Sequence, residues 1–560
     1  MTVLVVTSSN LSRTRGERAS SPGEARCNYS KWDYLLEVMK AVATVMSQNS
    51  TRLTALLSFR DTSNATFQSL PQRVRDLGVE VVMTVTGLGD WDEDFPSDYS
   101  RIPNFTIPDV WDRLPVTREA VLEFSRYEHS NDFNALRLTM LSMQNRGDFT
   151  GTYRTLEREV QIRRLLVRVF SGLLERRPQF AVFDVTPHDH VSVAIEGALR
   201  WLGVPVLSFQ PSLVGPQSIP RSSLTKIFDF SISLETREKY GPELAEVVSL
   251  AQASIERLEK GAGTVKISAQ KQREVSARTP RGRLKSLRFM LSRLAKGLHF
   301  PSVNFSGHTV LPPWFTKPLE VILDWSLRRS LVSTILSIPS HIPETGGKFA
   351  LFALHYEPER CSIPEGYPYS SQIDAVLRAR ALLPDDVVLV VKEHFSQSAA
   401  ALRGALGRSP DTYSMLEGIP GVKVLGIKAN TPELIARAEC VFTLTGKVGI
   451  EAALKGTPVV YGGQPWWGRM PGSAALYSFE DSSALEEFCR SPRPSRDDVF
   501  SWLSDQFTHT LVPVLGDATV ERYSERISPL PQRFADLQLD VVLEVIDSFI
   551  TAELLTNKKK

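Results

Sequence analysis

Between Val441 and Tyr461 the chain carries two mainly apolar runs around a turn of small residues and one short helical stretch. Val441, Phe442 and Leu444 make the first run; Pro458, Val459, Val460 and Tyr461 make the second. Neither run alternates with polar residues, so each predicts a buried strand of a helix-covered parallel sheet. Between them, Thr445, Gly446 and Gly449 let the backbone come close to a ligand. The N–H groups at the start of the short helix would face that ligand, with the positive end of the helix dipole behind them. Units of this kind also occur in α/β proteins where they bind nothing. The turn is neither GxGxxG nor a P-loop, so its meaning depends on its neighbours.

The same alternation runs through much of the chain. Strands are predicted over 2–8, 53–59, 79–85, 180–185 and 204–209, with helices over 34–46, 118–143, 153–176 and 191–202. A second series begins with a strand over 348–354, followed by a helix over 370–383, strands over 387–392 and 422–425, and a helix over 432–438. Strands alternating with helices predict a parallel, doubly wound sheet. At 560 residues the chain exceeds one ordinary core. The expected class is therefore α/β, with a Rossmann-like domain over 1–235, a basic helical connector over 236–345, a second Rossmann-like domain over 346–490 and a helical tail over 491–560.

Charge and cysteine usage narrow the function classes. Lys and Arg number 65 against 63 Asp and Glu, so no global charge points to nucleic acid. Cys27, Cys361, Cys440 and Cys489 lack metal-ligand spacing and fit a reducing cytoplasm. No secretory leader and no run of about 18 apolar residues is visible. The connector places Leu284, Leu287, Leu291 and Leu294 at helical spacing, with Arg and Lys on most other faces of 281–296. Such a helix can lie on an anionic membrane or dock its apolar stripe on the core; membrane contact is the favoured reading. The expected location is cytoplasmic, with a peripheral position on the inner face of the membrane as the variant this helix suggests.

In open α/β sheets, ligands sit beyond the carboxyl ends of the strands. Those ends carry His355-Tyr356-Glu357, Lys392-Glu393-His394 and Thr443-Leu444-Thr445-Gly446 in the second domain. In the first they carry Asp184 and His188, then Asp189 and His190. The polar residues collect where a cleft between two such domains would lie. Lys392 or a protonated His394 could neutralise a phosphate, a neutral His394 could relay a proton, and Lys392 could instead simply pair with Glu393. Glu357 could orient a sugar, act as a base, or cap the following turn. His188, positioned by Asp184, could act on a hydroxyl; Asp189 is equally a helix cap. No convincing third ligand accompanies these His and Asp residues, so no metal site is expected. The Asp90–Asp94 run contains Asp-x-Asp but reads as a solvated acidic loop. Glu451 can reach sugar hydroxyls, and a phosphate at the turn beside a ribose at the acid would suit a nucleotide sugar.

Taken in order, these residues resemble the bacterial capsule-polysaccharide biosynthesis proteins, which include the Kdo transferases of capsule assembly. The resemblance covers mainly 349–468, with weaker support from 180–220. It rests on His355-Tyr356-Glu357-Pro358-Glu359, Tyr369-Ser370-Ser371-Gln372-Ile373, Lys392-Glu393-His394, Thr443-Leu444-Thr445-Gly446, Gly449-Ile450-Glu451-Ala452 and Gly456-Thr457-Pro458-Val459-Val460. It implies a GT-B glycosyltransferase with two Rossmann-like domains facing across a cleft, usually without metal, and CMP-activated acidic sugars as donors. By that likeness His394 contacts the donor phosphate, Thr443 and Thr445 hold the nucleotide, and Glu451 holds its ribose. Two positions depart from the pattern: Phe395 stands where the family has Pro, and Lys447 where a small residue follows Thr-Gly. Lys447 could add a phosphate contact.

The resulting expectation is a glycosyltransferase that moves sugar from a nucleotide-sugar donor to a surface polysaccharide or glycolipid acceptor. It would need no further cofactor and no nucleic-acid partner. A nucleotide-sugar epimerase or hydrolase on the same fold would turn over donor without acceptor. A non-catalytic scaffold of a membrane-associated polysaccharide assembly would bind no nucleotide.

Overall fold

In the computed structural model the described residues are 4–6, 54–59, 80–86, 116–145, 155–260, 326–341, 347–398, 404 and 407–513, without the single positions 184, 189, 213, 216, 224, 225, 358 and 370, plus isolated positions between 537 and 552. The helix expected over 34–46, the acidic run Asp90–Asp94, the basic stretch 281–296 and Cys27 lie outside them. Contacts divide the chain into two units. Met1–Leu136, Ile162–Ala251 and Gln506–Lys560 form the first; Arg137–Gln161 and Gln252–Asp505 form the second. Each holds one six-stranded sheet. The fold class is α/β with two Rossmann-like sheets.

The first sheet contains β1 (Leu4–Val6), β2 (Thr54–Phe59), β3 (Glu80–Thr86), β4 (Phe180–Phe183), β5 (Val206–Pro211) and β6 (Ser218–Arg221), in the order β1-β3-β2-β4-β5-β6. All neighbours are parallel except β6, which runs antiparallel to β5. The helix expected over 118–143 is two helices, α1 (Arg118–Glu128) and α2 (Asn131–Asn145). The break follows from a cap: Ser130 Oγ accepts the Phe133 N–H at 3.1 Å and starts a new helix there. Next come α3 (Thr155–Arg176) and α4 (His190–Trp201). Nearly all of α4 is buried, which its all-round apolar sequence requires. The short α5 (Leu234–Lys239) and the longer α6 (Gly241–Glu259) follow.

Ahead of the sheet of the second unit stands helix α7 at 326–337. The chain continues through β7 (Phe349–Ala353), α8 (Gln372–Leu382), β8 (Val388–Lys392), α9 (Pro410–Glu417), β9 (Val422–Leu425), α10 (Thr431–Arg437), β10 (Val441–Thr443), α11 (Val448–Leu454), β11 (Val459–Tyr461), β12 (Ser473–Ala475), α12 (Ser482–Arg490) and α13 (Arg496–Asp505). The sheet order is β12-β11-β10-β7-β8-β9, parallel throughout. β7 and β10 are buried along their whole length. Phe352 and Phe442 lie with nearly parallel rings in the core between them and the flanking helices, centroids 6.2 Å apart. The sequence reading missed α9, which buries only Tyr413 and Leu416 and so shows little periodicity. Its start is nevertheless written locally: Ser409 and Thr412 form a capping box and Pro410 opens the first turn.

Residues 506–513 return to the first unit. Val512 and Ser218 exchange backbone hydrogen bonds of 2.9 Å each. Gln217 Nε2 donates to the carbonyls of Phe507 and Leu511. Farther along, Glu544 accepts from Ser233 and Thr236, and Asp540 from Lys239 and Tyr240. No helix among the described residues is long and apolar enough to cross a membrane.

Candidate functional site

In the second sheet the strands, numbered from β7, stand in the order third, second, first, fourth, fifth, sixth. The chain therefore leaves β7 toward one edge of the sheet and β10 toward the other, and a crevice opens between their carboxyl ends. His355 follows β7, and Thr443, Thr445 and Gly446 close or follow β10. The structure brings them together. The Thr445 N–H donates to His355 Nε2 at 3.2 Å, and Thr443 Oγ1 lies 3.3 Å from the same nitrogen. Nε2 is thus the accepting nitrogen and the ring proton belongs on Nδ1. Burial, reinforced by the Arg408 charge, pushes His355 down to about 4 and keeps the imidazole neutral. A Cβ on Gly446 would sit 2.8 Å from Thr443 Oγ1 and 3.1 Å from His355 Cε1, so no side chain fits there. Thr445 Oγ1 donates to the Cys361 carbonyl, and a Cβ on Gly463 would press on Thr445 and the Glu365 carbonyl. The turn 359–368 therefore packs against this wall. Within that turn Arg360 Nε and Glu365 Oε1 are 2.8 Å apart, a charge contact whose angle falls short of a hydrogen bond.

β8 ends in Lys392, and the polar residues after it form a second wall. Lys392 is buried, and its ammonium donates to the Glu393 carbonyl at 3.1 Å. Desolvation lowers its proton affinity, opposed by the Glu393 and Glu451 carboxylates. Glu393 is fully buried and accepts from the His394 N–H, from Arg408 Nε at 3.2 Å and from the Tyr413 hydroxyl at 2.8 Å. The remainder of the Arg408 guanidinium pairs with Glu357 and donates to the His355 carbonyl. Burial works against that charge, but Glu393 and Glu357 outweigh it and hold the guanidinium above its ordinary range. Gln397 accepts from the Glu357 N–H and donates to the Glu357 and Gly404 carbonyls. Gln372 likewise brackets the backbone of His355. The Ser396 N–H donates to His394 Nδ1 at 3.2 Å, which leaves the ring proton on Nε2. Burial, with His355, Lys392, Lys447 and Arg408 around it, holds this imidazole neutral.

Helix α11 brings Lys447 and Glu451 to the same end of the sheet. Gly449 lies under Trp467, where a Cβ would come within 2.3 Å of the indole. Among the described residues the partly buried Glu451 carboxylate makes no hydrogen bond or ion pair. Burial pushes it up to about 7, against the pull of Lys447, Lys455 and Lys392. A buried carboxyl that titrates near neutrality among lysines is the kind of group that marks functional sites.

In the first unit, His188 and Thr186 follow β4, and His188 Nδ1 lies 2.8 Å from the Thr186 carbonyl, to which it donates. His190 opens α4 and is buried. Asp184 lies outside the described residues. No group of three or more potential metal ligands occurs among the described residues.

Sequence reasoning selected His394, Lys392, Thr443, Thr445, Gly446, Lys447, Glu451 and Glu357. It missed Arg408, Tyr413 and Gln397 and quoted Gln372 only within a motif; together these hold His355, Glu357 and Glu393 in place. The signal for Arg408 was the segment Gly407-Arg408-Ser409-Pro410, a glycine turn running into a helix cap. A Cβ on Gly407 would fall 2.5–2.8 Å from Glu357 atoms, so glycine is what lets Arg408 enter.

Fold and site together define a protein with a doubly wound α/β unit whose ionisable residues gather at the switch point of its sheet. No family model matches the chain, and no curated protein matches it. Among solved structures it is similar to KpsC, a β-Kdo 2,4 transferase from Thermosulfurimonas dismutans, at 11% identity and a TM-score of 0.24, over 58% of this chain and 78% of that one. It is also similar to the UDP-GlcNAc 2-epimerase of Methanocaldococcus jannaschii, at 11% identity and a TM-score of 0.20, over 85% and 99%. The glycosyltransferase SnogD from Streptomyces nogalater matches at 12% identity and a TM-score of 0.19, over 85% and 99%. Likenesses of this size carry no weight for function, which rests on the residues above.

Proposed function

We propose that the chain is a GT-B glycosyltransferase that transfers sugar from a nucleotide-sugar donor to a surface polysaccharide or glycolipid. The observation that carries this reading is the set of groups at the switch point of the second sheet. A buried ammonium (Lys392), an imidazole with its N–H on Nε2 (His394) and a carboxylate without a hydrogen-bonding partner among the described residues (Glu451) share one end of the sheet. Cation and N–H donors suit a donor phosphate, and a carboxylate suits the two hydroxyls of a ribose. Lys447 adds charge on the phosphate side; Thr443, Thr445 and Gly446 form the close wall against the nucleotide. Of the roles open to Glu357, orientation of the donor sugar is favoured over proton abstraction, because one oxygen is committed to Arg408. In the first unit His188, with Asp184, activates the acceptor hydroxyl. The Nδ1–H bond to the Thr186 carbonyl supports this by leaving Nε2 as the basic nitrogen. The resemblance to the capsule-polysaccharide proteins supports a CMP-linked donor. The basic stretch 281–296 supports work at an anionic membrane.

Calorimetry with CMP, UDP, GDP and ADP tests the reading. One nucleotide should bind, and His394→Ala and Glu451→Ala should each weaken it and abolish sugar transfer while the protein stays folded. Full transfer activity in both variants would remove these residues from the site. Binding of none of the four would refute the nucleotide-sugar reading, and donor turnover without acceptor would replace transferase by hydrolase or epimerase.

A further inference from the structure

Arg408 is buried to the limit of its side chain and makes three contacts across the segments that follow two strands. It pairs with Glu357 beyond β7, reaches the His355 carbonyl at 3.3 Å, and bonds Glu393 beyond β8 at 3.2 Å. One contact is the carbonyl of a switch-point histidine itself, and the other two lie one or two residues from one. Glu393 in turn accepts the backbone N–H of His394, and its other oxygen is held by Arg408 and Tyr413. The Arg408 cation thus pairs with two carboxylates, Glu357 and Glu393, while the Lys392 ammonium reaches the Glu393 carbonyl. Removing one partner from such a buried set is strongly destabilising, whereas a network with every member satisfied fixes one geometry. A guanidinium can bridge two carboxylates and a carbonyl at once because its N–H groups fork in a plane; an ammonium cannot.

We propose that Arg408 is the positioning residue of the switch-point site, tying the loops after β7 and β8 into one frame so that His355 and His394 each present a single tautomer. Arg408 need not touch any ligand to do this. It acts through Glu357, Glu393 and the His355 carbonyl. The inference deepens the nucleotide reading and rests on it only for its binding arm.

The test uses the full chain labelled with 15N-histidine and free of nucleotide. The signals of His355 and His394 are assigned by their loss in His355→Gln and His394→Gln. Wild type should show a fixed Nδ1–H form at His355 and a fixed Nε2–H form at His394. Arg408→Lys keeps the charge but not the fork. It should remain folded by circular dichroism, move both histidines toward averaged tautomers, and weaken the best of CMP, UDP, GDP and ADP by about tenfold or more. Tyr413→Phe, which removes one Glu393 contact and leaves Arg408 in place, should keep both tautomers. An Arg408→Lys protein that melts earlier yet retains both tautomers and full affinity would make Arg408 a stabilising residue only, and the proposal would fall. Should Arg408→Lys not fold, Glu357→Gln replaces it, and an unchanged His355 signal there overturns the proposal. If wild type binds none of the four nucleotides, the functional reading fails while the tautomers still decide the role of Arg408.

Discussion

Glu451 offers the sharpest quantitative test of the site. Its carboxyl rises from an ordinary 4.5 to about 7, chiefly through burial, with Lys447, Lys455 and Lys392 pulling the other way. At about 1.4 kcal/mol for each tenfold change in proton affinity, this preference of the folded state for the proton is worth roughly 3 kcal/mol. The sign follows from linkage. The folded-state value is raised, so the stabilising contribution is complete below 4.5 and is lost as pH climbs through about 7. Glu451→Gln removes the titration and keeps the shape. Urea unfolding of both proteins from pH 4 to pH 8 should show the variant gaining on wild type by about 3 kcal/mol across that window, and a constant gap above it. Other titrating groups cancel in the difference. A gap that does not change with pH would show that Glu451 is ordinarily solvated, and the argument from burial would be refuted. The same group links to function: an ionised Glu451 accepts ribose hydroxyls better than a protonated one. Nucleotide affinity should therefore rise as pH passes about 7 in wild type and stay flat in Glu451→Gln.

Gly449→Ala sets two effects against each other. Alanine favours the helix by about 1 kcal/mol, but its Cβ would meet the rigid, buried Trp467 indole at 2.3 Å, and such overpacking costs about 1–3 kcal/mol; a lower melting temperature with altered tryptophan fluorescence is expected. Lys447→Ala should weaken a diphosphate nucleotide more than CMP, because the lost cation matters most to the more charged ligand; equal losses in calorimetry would deny it a phosphate contact. Full-length protein should bind anionic vesicles at low salt and lose binding as salt rises. Neutralising Arg281, Arg283, Lys285, Arg288, Arg293 and Lys296 should abolish binding, and an unchanged vesicle affinity would leave 281–296 without a membrane role.

What could be read in the sequence divides along physical lines. The strands β7, β8 and β10 were legible because a strand buried on both faces must be continuously apolar, and the polar residues ending them stand out against that run. The residues that orient the site were not legible. Arg408, Gln372 and Gln397 are polar residues on a loop, a helix start and a short turn, where polar residues ordinarily face water. Only the fold turns them inward, onto the backbone of His355, Glu357 and Gly404. The split of 118–143 at Ser130 was written in the cap residues but hidden by apolar periodicity on both sides of the break.

The departures from the capsule-protein pattern acquire a physical meaning in this arrangement. Phe395, standing where the family has proline, begins the turn Phe395–Ser398, and its ring lies 4.5 Å from the His394 imidazole at an interplanar angle of 37°. The same turn aims the Ser396 N–H at His394 Nδ1. His394 is thus oriented by an aromatic face and a backbone donor, so the absence of proline does not leave its ring without support. Lys447 has a different consequence. Lys447 lies outside the Arg408–Glu357–Glu393 ion cluster. Its nearby countercharge is Glu451, whose ionisation it favours. The altered residue at the turn therefore bears on how much negative charge a ligand can bring to the crevice, and the altered residue after His394 bears on how that ligand is met.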